Sequence, residues 1–95
     1  MKKIKLQINE TITKEVEIET PLFVKNVEYS YVEHIMVSED GSVVTIIVFK
    51  DGAVSVIVGK TLPDMSKIDV STRDEFLLAL DKLNEYVEKI KNNLI

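Results

Sequence analysis

The chain of 95 residues is 45% hydrophobic and 29% charged, with a net charge of −4, the balance of a globular domain rather than of a disordered segment. It has no cysteine and one histidine, which excludes disulfides, thiolate chemistry and zinc sites built from several such ligands. A nucleic-acid footprint needs a basic domain or a dense basic stripe, and an acidic balance tells against one.

A single domain over residues 1–95 is expected from the length. Over residues 3–8, Ile4, Leu6 and Ile8 alternate with Lys3, Lys5 and Gln7. Over about 14–19, Val16 and Ile18 alternate with Glu15, Glu17 and Glu19. Both are patterns of half-buried strands. Asn9-Glu10-Thr11 lies between them and can turn the chain into an antiparallel hairpin with one basic and one acidic outer face. Cross-strand Lys–Glu pairs contribute ~0.2–1 kcal/mol each and mainly fix register. No continuous apolar leader region and no run of ~20 apolar residues occurs. A cytoplasmic location with no membrane contact is therefore expected.

Pro21 interrupts the strand pattern, because proline offers no donor to a ladder. Leu22-Phe23-Val24 then reads as an apolar plug at the core edge, and Phe23, Lys25 and His34 as a candidate binding lip. Residues 27–37 form a predicted third strand, 43–49 a fourth and 53–58 a fifth. The two Asp-Gly pairs, Asp40-Gly41 and Asp51-Gly52, are strong tight-turn signals. With two-residue turns, Glu39 pairs with Ser42 and Lys50 with Ala53. One sheet face then gathers Tyr29, Tyr31, Ile35, Val37, Val44, Ile46, Val48 and Ile57. The other gathers Val32, His34, Met36, Val43, Ile47, Phe49, Val54 and Val56. Both faces are apolar, and a bulge in either turn would exchange residues between them without making either polar.

Residues 60–70 read as a connector containing Pro63, Asp64, Ser66 and Asp69. Thr72-Arg73-Asp74-Glu75 matches a helix capping box. Phe76, Leu80, Leu83, Val87, Ile90 and Leu94 follow at alternating spacings of 4 and 3, an amphipathic stripe over a helix of about 72–93. Such a helix runs ~30 Å, as long as or longer than a seven-residue strand at ~23 Å. The predicted fold is thus α+β: a five-stranded antiparallel meander sheet followed by one long C-terminal amphipathic helix packed on one face.

One helix covers one face. The second would expose several hundred Å² of apolar surface, more than a soluble monomer usually shows. A second copy or a partner protein is expected there, with the eight residues from Tyr29 to Ile57 named above as the interface. Curling of the sheet into a half-barrel is the internal alternative.

Chemistry is sparse. There is no P-loop and no G-x-G-x-x-G. The 16 carboxylates contain no pair at calcium-loop spacing and none singled out as an acid–base couple. His34 reads as a packed or interface imidazole, and it is the one side chain that titrates near neutrality. A non-catalytic protein without cofactor or metal is expected, acting as a homodimer or through a protein partner. The runner-up is single-stranded nucleic-acid binding through Tyr29, Tyr31, Lys3, Lys5 and Lys25. Strands followed by one long helix is an order similar to that of transcriptional-coactivator and Whirly-type single-strand binders, a likeness that implies assembly into dimers or larger forms. A third reading is an acidic inhibitor of a nucleic-acid enzyme, its negative charge standing in for phosphate.

Overall fold

The computed structural model describes residues 2–8, 14–62 and 67–94. The expected turn at Asn9-Glu10-Thr11 and the connector positions from Pro63 to Ser66 lie outside the described residues. Among the described residues eight strands precede one helix: β1 (Lys2–Ile8), β2 (Lys14–Thr20), β3 (Leu22–Val27), β4 (Tyr31–Val37), β5 (Val43–Phe49), β6 (Val54–Gly59), β7 (Thr61–Leu62), β8 (Asp69–Val70) and α1 (Arg73–Asn93). They form a five-stranded antiparallel sheet ordered β6-β5-β4-β3-β8, with α1 packed on it, and a three-stranded sheet ordered β2-β1-β7. The fold is α+β, as its sequence pattern indicates.

The five strands are not the five expected from the sequence. The N-terminal hairpin does not join the main sheet; β1 pairs with β2 and, in parallel, with β7. The expected strand 27–37 is broken at residues 28–30, and Leu22–Val27 is a strand of its own. Glu28 N–H donates to the Tyr31 carbonyl at 2.9 Å, closing a turn within what looked like continuous alternation. The plug reading of Leu22-Phe23-Val24 gives way to the start of β3, entered through a cis Thr20–Pro21 bond.

Both Asp-Gly turns are one residue longer than two-residue loops. Phe49 N–H donates to the Ala53 carbonyl at 2.9 Å and Gly52 N–H to the Phe49 carbonyl at 3.0 Å. Gly52 sits at φ 96°, the left-handed residue that completes a three-residue hairpin loop. Ser38 to Ser42 repeats the pattern around Gly41 at φ 87°. Asp40 Oδ1 accepts from Ser42 N–H at 2.9 Å and Asp51 Oδ1 from Ala53 N–H at 3.0 Å, so each aspartate stabilises its own turn. The extra residue moves the register by one, and a one-residue slip sends a strand's side chains to the opposite face.

The resulting pairs are His34↔Ile46, Met36↔Val44 and Val48↔Val54. The helix side therefore holds Phe23, Met36, Val44, Ile46, Val48 and Val54, clustered with Phe76, Ala79, Leu80, Leu83 and Tyr86 of α1. The opposite side holds Leu22, Val24, Ile35, Val37 and Val43, clustered with Ile4, Leu6, Ile18, Leu62 and Ile68. The second cover of the sheet is thus the chain's own N-terminal hairpin, folded over its β3–β4–β5 end. Burying Ile35 and Val37 completely on this side stabilises the fold by about 1.5–3 kcal/mol each. Farther along the same side the face is mixed: Asn26 Nδ2 donates to Glu33 Oε1 at 2.9 Å, beside Tyr31, Ile47 and Phe49. The apolar face expected to be bare is thus covered over much of its area, and Phe49 and Ile57 stay exposed at its uncovered end.

Candidate functional site: the open edge at β6

The eight residues expected to share one interface do not share a face. Ile46, Val44 and Val48 lie under the helix, and Ile46 is fully buried. Ile35 and Val37 lie under the hairpin. The Tyr31 and Phe49 rings meet at a tilt of 51° with centroids 5.9 Å apart. Tyr29 stands in the turn between β3 and β4 beneath the Lys50 ammonium, which is 4.2 Å from its ring centroid. Ile57 is exposed on β6. The correction follows from the one-residue register shift, which separates the odd residues of β4 from the even residues of β5.

The expected lip is likewise occupied. The Phe23 ring meets Phe76 of the helix at 5.9 Å. Lys25 Nζ donates to Glu75 Oε1 at 2.9 Å. Ser71 Oγ donates to Glu75 Oε2 at 2.7 Å, and Glu75 N–H donates to Thr72 Oγ1 at 3.2 Å. The Lys25 ammonium first, then the Ser71 hydroxyl, hold the Glu75 carboxyl down at about 2. This knot fixes the start of α1 on β3. His34 sits beside it, half-buried, against Glu75, Leu78, Ala79 and Lys82. Burial lowers its pKa, opposed by the nearby Glu75 carboxylate and reinforced by Lys82 and Lys25. Its Nδ1 is buried without a hydrogen-bond partner.

The cations of the nucleic-acid reading are dispersed. Lys3 and Lys5 stand opposite Glu19 and Glu17 on the hairpin, and Lys25 is committed to Glu75. None of them joins Tyr29 and Tyr31. A cleft of about 420 Å³ lies between the second half of α1 and the β5–β6 turn, lined by Val48, Val54 and Tyr86 with Lys50, Lys82 and Lys89 at its rim.

What the structure leaves open is an edge. β6 is the outermost strand of the five-stranded sheet. Phe49 and Ala53 form a hydrogen-bonded pair, and bonded and non-bonded pairs alternate along an antiparallel ladder. The register then places Ile47↔Ser55 and Thr45↔Ile57 in bonded positions, and Val48↔Val54, Ile46↔Val56 and Val44↔Val58 in non-bonded ones. The backbone N–H and C=O groups of Val54, Val56 and Val58 therefore point away from β5. Among the described residues no strand meets them. Side chains along this edge are also uncovered, with Val56 47%, Ile57 55% and Val58 67% exposed.

Natural edges are blunted by charge, shortness or proline. β2, the edge of the small sheet, carries exposed Glu17 and Glu19. β8 and β7, the other outer strands, are two residues long. β6 has six residues, Val-Ser-Val-Ile-Val-Gly, without a charge or a proline. Beside it, the helix stripe continues past the sheet: Phe76 and Ala79 are buried, whereas Val87, Ile90 and Leu94 are 38%, 45% and 81% exposed. Sequence reading missed the edge because strand order is a tertiary fact. The tail left a trace, in a helix at least as long as the sheet it crosses.

No protein-family model matches this chain, and neither a curated protein nor a solved structure matches it. Among the described residues no helix is long and apolar enough to cross a membrane.

Proposed function

We propose that the protein is a non-catalytic interaction module that works as a homodimer, joined along the free edge of β6 rather than across a sheet face. The observation that carries this reading is the row of outward backbone groups on Val54, Val56 and Val58, set in an uncharged strand with exposed valine and isoleucine side chains. An added strand satisfies those donors and acceptors and buries the side chains in one step, the mode of recognition known as strand addition. The rest of the sheet supports it by contrast, since the helix covers one face and the N-terminal hairpin part of the other.

Sedimentation equilibrium from low to high micromolar concentration tests the reading. The unaltered protein is expected to be a dimer and Val58→Lys a folded monomer, with the same far-ultraviolet circular dichroism. A monomer throughout the range, or a dimer indifferent to Val58→Lys, would contradict it.

A further inference from the structure

We infer that the second copy docks in one register, antiparallel with Val56 on the two-fold axis, and that the helix tail of each copy seats on Val58 of the other. This rests on the homodimer reading and adds its geometry.

Three observations fix the register. First, a two-fold axis perpendicular to paired edges makes each residue's partner the mirror position about the axis, and an isologous contact closes after two copies. Second, outward backbone groups occur at Val54, Val56 and Val58. Centring on Val56 sets Val54 opposite Val58 of the second copy, so all three outward positions on each copy become bonded pairs. Centring on Ser55 or Ile57 would put a non-bonded pair on the axis and make two bonded pairs in place of three. Third, the facing side chains on the helix side are then valine against valine throughout, with Ser55 against Ile57 on the other side. No charge meets a like charge.

The helix supplies an independent fit. Phe76 begins the contact over Phe23, in the row Phe23–Met36–Val44–Val58. Tyr86 ends it beside Val48 and Val54, in the row Val27–Val32–Val48–Val54. The helix thus crosses the sheet diagonally and leaves Val58, at the far corner of β6, the most exposed residue of its row. In the Val56-centred dimer, Val58 lies opposite Val54 of the second copy, where that copy's helix leaves its own sheet. Val87 and Ile90 of the departing helix reach Val58, and two exposed apolar patches cover each other twice. The side chains that this contact covers, Val56, Val58, Val87 and Ile90, are 47%, 67%, 38% and 45% exposed in the single subunit.

Single cysteines separate the possibilities, since the chain has none of its own. A bonded antiparallel pair holds Cα atoms about 5.5 Å apart, within the ~4.4–6.8 Å that a disulfide spans. Val56→Cys is therefore expected to form a disulfide-linked dimer under mild oxidation, at least about tenfold faster than Val58→Cys. Two Val58 positions would lie four residues apart along the paired edges, ~14 Å by strand rise. Ile90→Asp is expected to weaken the dimer at least about tenfold by sedimentation without changing which cysteine crosslinks. A dimer in which Val58→Cys links as fast as Val56→Cys would overturn the register and leave the homodimer reading standing. A dimer unaffected by Ile90→Asp would overturn the helix seat. Absence of any dimer would overturn both the inference and the reading beneath it.

Discussion

β5 and β6 are neighbours in one hairpin and are built from the same residue types, yet they meet opposite fates. β5 (Val-Val-Thr-Ile-Ile-Val-Phe) has a strand on each side, the helix on one face and the N-terminal hairpin over part of the other. β6 (Val-Ser-Val-Ile-Val-Gly) is buried only at Val54. Apolar composition therefore states that a strand has something to bury and leaves open where. Position in the sheet decides, and β6 at its edge keeps Val56, Ile57 and Val58 exposed.

The contrast sharpens under truncation. Ile46→Ala removes a fully buried side chain beneath the helix and is expected to cost about 2–5 kcal/mol, through lost transfer energy and a cavity. Val56→Ala, measured by urea unfolding at concentrations low enough to separate the copies, is expected to cost no more than ~0.5 kcal/mol. Equal losses would break the comparison, because they would make β6 part of the subunit core.

A weaker effect is expected from pH. The Glu75 carboxyl falls from 4.5 to about 2 in the folded protein, so between those values the unfolded chain takes up the proton first. Stability contributed by the Lys25–Glu75–Ser71 knot is complete above about 4.5 and is lost as pH falls toward 2. His34, also held below its ordinary 6.5 by burial, works in the same direction from a higher pH. The unfolded chain protonates it first, so stability begins to fall as pH drops through 6.5. His34→Gln should flatten the urea midpoint near pH 6, and Glu75→Gln should flatten part of the acid limb. The remainder belongs in part to Asp40, held at about 2 first by the Ser38 hydroxyl and then by Ser42. Dimerisation at β6 should follow neither substitution.

The smallest effect is expected on the hairpin. Glu17→Lys exchanges an exposed residue opposite Lys5 and should cost within ~1 kcal/mol by thermal unfolding. The association proposed at β6 should be unaffected, since Glu17 stands on the β2 edge.

Local pattern made much of this fold legible. The alternation in residues 3–8 and 14–19, the Asp-Gly turns and the Thr72–Glu75 cap each depend on neighbours in sequence, and each element forms where its residues stand. The Glu75 side chain shows the limit of local reading: its amide meets Thr72 as expected, while its carboxylate reaches 50 positions back to Lys25. Register was the sharper loss. Gly41 and Gly52 suit a two-residue or a three-residue loop alike, and the one-residue difference scattered the expected interface from Tyr29 to Ile57 over both sides of the sheet. The destination of the N-terminal hairpin was also invisible, because Leu6 and Ile18 would be equally buried within the main sheet or folded across it. β6 became a candidate site only once its neighbours were known.

Amide hydrogen exchange along β6 tests the open edge most directly. Ser55 and Ile57 amides face β5 and are protected in any folded subunit, whereas those of Val54, Val56 and Val58 meet no strand among the described residues. The expected result is protection of these three amides that rises with protein concentration and vanishes in Val58→Lys. Fast exchange of Val56 and Val58 at every concentration, beside slow exchange of Ser55 and Ile57, would contradict it.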